Sequence, residues 1–182
     1  MTTVLTVQFV FAYGSLAADA AFSCPARLRG HRRVWGVAMD NSVDIPGYKS
    51  YRLRADGSRP AVFVAFLDIV EDAGASTGGT LIAVDEAVLR ALDARERNYE
   101  RIEVTGQVED APPGTVWLYR GSAAGRVRLA DGVRRSCAVV DAAYAQAVEV
   151  SLAALGLDDD IDPGTLPAVW LKRVEIAPSA AP

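Results

Sequence analysis

The chain has 182 residues, 51% hydrophobic and 23% charged, with two cysteines, one histidine and a net charge of −4. That length supports a compact domain with its own core, and the composition excludes disordered, collagen-like and disulfide-rich classes. The charge offers no basic field to nucleic acid or an anionic membrane, and one histidine leaves little material for a zinc site or a histidine-based triad. By elimination, acid–base work in such a chain falls to a carboxylate.

Residues 4–12 read as a strand, ending in the turn Tyr13-Gly14-Ser15-Leu16. They lack the basic start and long apolar run of a leader, and no segment reaches the ~20 apolar residues of a membrane span, so the expected location is cytoplasmic. Residues 17–30 are mixed, with Pro25 stopping any helix, and residues 31–39 read as a strand weakened by Gly36. Residues 41–57 carry Pro46-Gly47 and Asp56-Gly57 and suggest a long irregular loop. Residues 61–70 are apolar on both faces, as in a central strand, and Thr77-Gly78-Gly79 signals a turn into a short strand over 80–84.

The pattern predicts a helix over 85–99, with Asp85 as N-cap and Val84 stapled to Leu89. Residues 101–108 and 116–119 read as strands. A second helix falls within 136–155, capped by Asp141 and ended by Gly156, with Tyr144, Val148, Ser151, Leu152 and Leu155 on its buried face. Asp158-Asp159-Asp160 lacks the glycine and terminal glutamate of a calcium loop. About six strands, two helices and no regular βαβ alternation predict an α+β fold, a small, mostly antiparallel barrel flanked by helices. Residues 1–176 form one domain in this reading and residues 177–182 a frayed tail. Cys24 and Cys137 stand far apart with no CxxC, which suggests reduced thiols.

Two segments carry chemistry. At ~100° per residue, Glu96 falls between Leu89 and Leu92 on the apolar stripe that also holds Val88 and Tyr99. A carboxylate there loses solvation and becomes a stronger base; the plain alternative is a pair with Arg95 or Arg101. Gly14, directly after a buried strand, lets successive backbone N–H groups converge on a carboxylate or an oxyanion, although Gly-Ser after a strand also makes an ordinary turn. Neither GxGxxG nor GxxxxGK[ST] is present, so nucleotide phosphate has no support.

Tyr13-Gly14-Ser15-Leu16 resembles the YGS[LN] signature of the γ-glutamylcyclotransferase-like superfamily, which includes ChaC-type enzymes. Leu92-Asp93-Ala94-Arg95-Glu96-Arg97-Asn98-Tyr99 is similar to that family's second signature, a helix end reading LDxxE with Tyr soon after. The likeness spans roughly residues 5–120 and departs after Tyr119, where residues 121–129 lack the aromatic many members carry. The resemblance implies a helix-flanked β-barrel, no cofactor or metal, and release of 5-oxoproline from a γ-glutamyl amide or peptide. It makes Glu96 the acid–base residue and gives Tyr13, Gly14, Ser15 and Leu16 the glutamyl moiety. Tyr99 and Tyr119 join them as substrate contacts, read as core residues with an edge on the pocket. The implied partner is a small γ-glutamyl compound, with no nucleic acid or membrane.

The rivals are weaker. A hydrolase built from Ser15, His31 and Asp40 or Asp44 lacks the G-x-S-x-G elbow. Arg27, Arg29, Arg32 and Arg33 around His31 suggest a solvated strand edge, with His31 on the surface. Trp35, Trp117 and Trp170 are expected in the core. A non-catalytic binding module on the same fold is the main alternative from another class; a buried Glu96 argues against it, since such a group costs stability without a task.

Overall fold

The computed structural model describes residues 7–14, 23–157 and 166–178. Its spine is an antiparallel ladder between β2 (Ser23–Asp40) and β4 (Phe63–Val84), running from Ser23 opposite Ile82 to Asp40 opposite Phe63. The other edge of β4 is shared: β1 (Gln8–Ala12) pairs antiparallel with its last residues, and β7 (Ala138–Asp141) pairs parallel with its first. β6 (Thr115–Gly121) lies parallel to β1 and antiparallel to β5 (Tyr99–Glu103), while β8 (Ala168–Val169) extends β7 in parallel. A separate antiparallel ribbon joins β3 (Lys49–Leu53) to β9 (Leu171–Glu175).

The fold is α+β, but the large sheet is mixed and open, running β5-β6-β1-β4-β7-β8 with β2 paired to β4. The expected antiparallel barrel differs because helices serve as crossovers. α1 (Glu86–Arg95) lies between β4 and β5, and α2 (Ala123–Arg134) carries the chain from β6 to β7, which then pairs in parallel. A lone bridge from Leu28 to Val108 adds one contact at the β2 edge.

Several local expectations change for identifiable reasons. Residues 63–84 form one strand, with no turn at Gly78-Gly79. Those glycines serve close approach: a Cβ on Gly79 would lie 2.5 Å from the Ala12 carbonyl oxygen and 2.7 Å from the Phe11 ring, and one on Gly78 would collide with Leu157. β2 runs through Pro25, tolerable because β2 is an edge strand, and shifts register after Arg29, where Gly30 takes φ +71°. β3 lies inside the expected loop, after the Gly47 turn.

α2 escapes the periodicity because it packs by small residues: Gly132 seats on Phe63, and Gly125 lies against Val37 and the Asn98 carbonyl. α3 (Ala142–Ala153) is capped as expected, Asp141 accepting from the Ala143 N–H. It ends where Gly156 takes φ +68° and the Leu157 N–H reaches the Leu152 carbonyl. The acidic turn Asp158-Asp159-Asp160 lies outside the described residues, as does the tail beyond Pro178.

Burial also corrects the arginine cluster. Arg27, Arg29 and Arg32 are exposed, but His31 is 5% exposed and Arg33 is buried. Trp170 is half exposed beneath the Arg54 guanidinium, and Trp35 and Trp117 are only partly buried.

The core between sheet and α3 gathers Phe11, Leu28, Leu67, Leu118, Val148 and Leu152. Beside it, Asp68 is fully buried; its Oδ1 accepts from the Ile69 and Gly121 N–H groups, and its Oδ2 from Arg126 Nε at 3.0 Å. Gly36 and Gly121 make room for it, since a Cβ on either would overlap this carboxylate.

Candidate functional site

Tyr13 leaves the end of β1 and is held at both ends. Its hydroxyl donates to the Tyr119 carbonyl at 2.7 Å, and its own carbonyl accepts from Arg33 Nε at 2.7 Å. Arg33 also donates to the Gly78 carbonyl, so this buried guanidinium ties the start of the Tyr13-Gly14 loop to β4. Among the described residues, a Cβ added at Gly14 would meet Leu67 Cδ2 at 3.5 Å, an ordinary contact. Ser15 and Leu16 lie outside the described residues.

Glu96 is the C-cap of α1, not part of its last turn, with φ −85°, ψ 56° and its N–H on the Leu92 carbonyl. The helical wheel therefore stops short of Glu96, and Val88, expected on the same apolar stripe, is 44% exposed while Leu89 is buried. Glu96 turns inward by a different device. Its carbonyl accepts from the Tyr99 N–H, closing a tight turn over Arg97 and Asn98 before β5 begins. Buried Asn98 anchors that turn: Ser122 N–H donates to its carbonyl, Arg128 Nη2 donates to its Oδ1 at 2.8 Å, and its Nδ2 donates to the Tyr48 hydroxyl at 3.4 Å.

The Glu96 side chain is 22% exposed and pairs with Arg95, whose Nε and Nη2 both contact Oε1, at 2.9 and 2.7 Å. Oε2 accepts no hydrogen bond among the described residues. Arg101, the other candidate partner, pairs with Asp93.

Around this carboxylate stands a group of tyrosines. Burial pushes the phenols of Tyr13, Tyr99 and Tyr144 well above their ordinary range, and the negative charge of Glu96 raises each further. Tyr99 donates to the Leu67 carbonyl at 2.6 Å, and Tyr144 sits edge-on to Trp35 and Phe66. Tyr48 is raised to about 12, by burial first and then by Glu96. All four stay neutral across the physiological range.

Tyr119 also feels the Glu96 charge, after burial and Asp93. It packs with Val10 and Leu89 under α1, and its hydroxyl donates to Asp93 Oδ1 at 2.7 Å. The two signatures thus meet through backbone and struts: Asp93 holds Tyr119, and the Tyr119 carbonyl holds Tyr13. Two surface hollows, of about 710 and 240 Å³, are lined by Arg52, Arg54 and Lys172 and by His31, Arg120 and Arg126 respectively, not by Glu96. Among the described residues, no three His, Cys, Asp or Glu side chains gather as a metal site would require.

The sequence of the family described as gamma-glutamyl cyclotransferase, AIG2-like, matches residues 10–133 of the chain. The chain belongs to the AIG2-like gamma-glutamyl cyclotransferase family. Among solved structures, one titled gamma-glutamyl cyclotransferase is 13% identical and superposes over 89% of this chain and 93% of that one, with a TM-score of 0.51. A solution structure from Arabidopsis thaliana is 21% identical over 66% of this chain and 72% of its own, with a TM-score of 0.41. An uncharacterized human protein is 19% identical over 64% and 68%, with a TM-score of 0.43. No curated protein matches the chain.

Both signatures lie within the matched span of this AIG2-like chain. Tyr48, Lys49 and Tyr144 did not emerge as site residues from the sequence. Tyr48 and Lys49 followed a Pro-Gly turn signal, and Tyr144 was assigned to a buried helix face. Only the tertiary fold brings them toward Glu96. None of the described helices is long and apolar enough to cross a membrane.

Proposed function

We propose that this AIG2-like protein is a cyclotransferase that releases 5-oxoproline from a γ-glutamyl amide or peptide, with Glu96 as general acid–base. The observation that supports the reading is a carboxylate fixed at the end of α1, whose Oε2 accepts no hydrogen bond among the described residues and whose charge reaches the buried, neutral phenols of Tyr13 and Tyr99. Before ring closure the substrate's α-ammonium must give up a proton, and Glu96 takes it at Oε2. The amine then attacks its own γ-carbonyl carbon; a new C–N bond forms and the old amide C–N bond breaks. Glu96 returns its proton to the departing nitrogen as that bond breaks, and the second hydrogen on the attacking nitrogen then passes through the restored carboxylate to the released amine, which leaves as an ammonium; the lactam keeps one N–H and charge is conserved. Because nucleophile and electrophile belong to one molecule, holding the glutamyl chain folded supplies much of the rate.

In this reading Gly14, with Ser15 and Leu16, presents backbone N–H groups to the α-carboxylate or the developing oxyanion. Arg33 and Tyr13 hold the start of that loop. Tyr99 borders the glutamyl site, and Tyr119 supports it from behind.

The Arg95–Glu96 pair is the observation that favours the second reading, a non-catalytic binding module on the same fold. One assay separates the two. Incubation with glutathione, γ-glutamyl amino acids and γ-glutamyl amines should yield 5-oxoproline from at least one of them. Saturable binding of 5-oxoproline without turnover of any would establish the binding module instead.

A further inference from the structure

The larger surface hollow, about 710 Å³, lies on the β3–β9 ribbon, where Arg52, Arg54 and Lys172 line it beside Leu53, Gly57 and Val174. Strand register puts the three charges on one face. Arg52 stands directly opposite Lys172 across the ladder, and Arg54 follows two residues on, its N–H donating to the Trp170 carbonyl at 3.1 Å. Directly opposed residues hold their Cβ atoms about 5 Å apart, so two like charges meet here, an arrangement that destabilises a ladder.

No carboxylate relieves them. All three side chains are exposed, and among the described residues none of them forms an ion pair. Asp56, in the turn after β3, accepts from the Ser58 N–H and hydroxyl at 2.9 and 2.7 Å. Glu175 holds Arg173, and both belong to the opposite face of β9. In a chain of net charge −4, this hollow is a local reversal of sign.

The donors that remain suit a phosphate. Arg52 uses Nη1 on the Gly57 carbonyl at 3.1 Å, and Arg54 uses Nε on the Leu171 carbonyl at 2.9 Å while lying over the Trp170 ring. These bonds fix both guanidinium groups and leave their other N–H donors, with the Lys172 ammonium, for an anion. A carboxylate presents two oxygens in one plane. A phosphoryl group presents three in three directions, which suits cations arriving from two strands. One phosphoryl group carries a charge of about −1.5 to −2, so three cations match two of them better than one. The negative charge of the whole chain works against a long polyanion or an anionic membrane and favours a compact ligand.

We propose that the β3–β9 hollow binds a small diphosphate-bearing ligand, at a site that owes nothing to the chemistry of Glu96. Calorimetric titration of the full chain with inorganic pyrophosphate tests it, with inorganic phosphate, ADP and citrate for comparison. Pyrophosphate should bind at one site, about tenfold more tightly than phosphate. ADP binding of equal strength supports a nucleotide as the source of the diphosphate, and weaker ADP binding supports free pyrophosphate. Citrate binding as tight as that of pyrophosphate, or no pyrophosphate binding at millimolar concentration, would overturn the proposal. Lys172→Gln should weaken pyrophosphate about tenfold, whereas Arg27→Gln, at an exposed arginine of β2, should not. Equal weakening in both would reduce the effect to diffuse surface attraction and refute the site. Lys172→Glu separates binding from folding, because it sets opposite charges across the ladder from Arg52. Its melting temperature should stay at or above the wild-type value while pyrophosphate binding is lost, and retained affinity would contradict the assignment.

Discussion

Lys49 carries a stability cost that can be measured. Its folded pKa, about 8, lies below that of a free lysine, so between about 8 and 10.5 the unfolded chain binds more protons than the fold. The penalty of burying the ammonium is therefore full below pH 8 and is relieved as pH rises through that window. Lys49→Met should raise stability near neutral pH by about 2 kcal/mol, with the gain shrinking toward pH 10 in thermal melts. A gain independent of pH would mean that the ammonium is solvated. Gly14 gives the complementary case, since among the described residues a methyl group there makes an ordinary contact with Leu67. Gly14→Ala should leave the melting temperature nearly unchanged and weaken γ-glutamyl binding by about tenfold through interference with the N–H cradle. Unchanged affinity would mark the loop as an ordinary turn. The helical wheel that singles out Glu96 ends before reaching it; Glu96 is the C-cap of α1, and the turn through Asn98, not the apolar stripe, follows from its carbonyl. His31 and Arg33 were misplaced because a charged strand edge and a buried guanidinium bonded to carbonyls carry the same residue letters.

At the scale of elements, the β4, β6 and α2 junction is built around one buried charge. Asp68 uses Oδ1 on two backbone N–H groups and Oδ2 on Arg126. Arg126→Met should destabilise the fold by about 3 kcal/mol in denaturant titrations, because the carboxylate stays buried without its cation. Gly121→Ala should cost about 1–3 kcal/mol, since its methyl would overlap both Asp68 and Val37. A cost near zero in either variant would show that this junction relaxes freely. The elements that followed simple rules were readable: Asp85 and Asp141 cap their helices, and Gly156 ends one. Those specified by tertiary contact were not. Gly78 and Gly79 sit inside a strand because Leu157, Phe11 and Ala12 press on them, and α2 hides its contact face behind Gly125 and Gly132.

Over the whole molecule, α2 decides the topology. Without that crossover, strands following one another suggest antiparallel closure; with it, β7 enters parallel to β4 and the sheet stays open. The α+β class and the two signatures survive that change, because short-range chemistry at the ends of β1 and α1 depends little on how the sheet terminates. What the fold adds is convergence: Tyr13 after β1, Tyr48 and Lys49 at the start of β3, Tyr99 on β5 and Tyr144 on α3 all feel the charge of Glu96 at the end of α1, from positions far apart in the chain. The central claim is that this carboxylate moves the proton. Its most direct test is 5-oxoproline release by Glu96→Gln, assayed on the substrate the wild-type protein turns over best, with folding checked by circular dichroism. The variant keeps shape and hydrogen-bonding capacity but lacks a base, so kcat should fall by about 10²–10⁴-fold while substrate affinity changes little. Turnover by a folded Glu96→Gln protein at the wild-type rate would contradict the account.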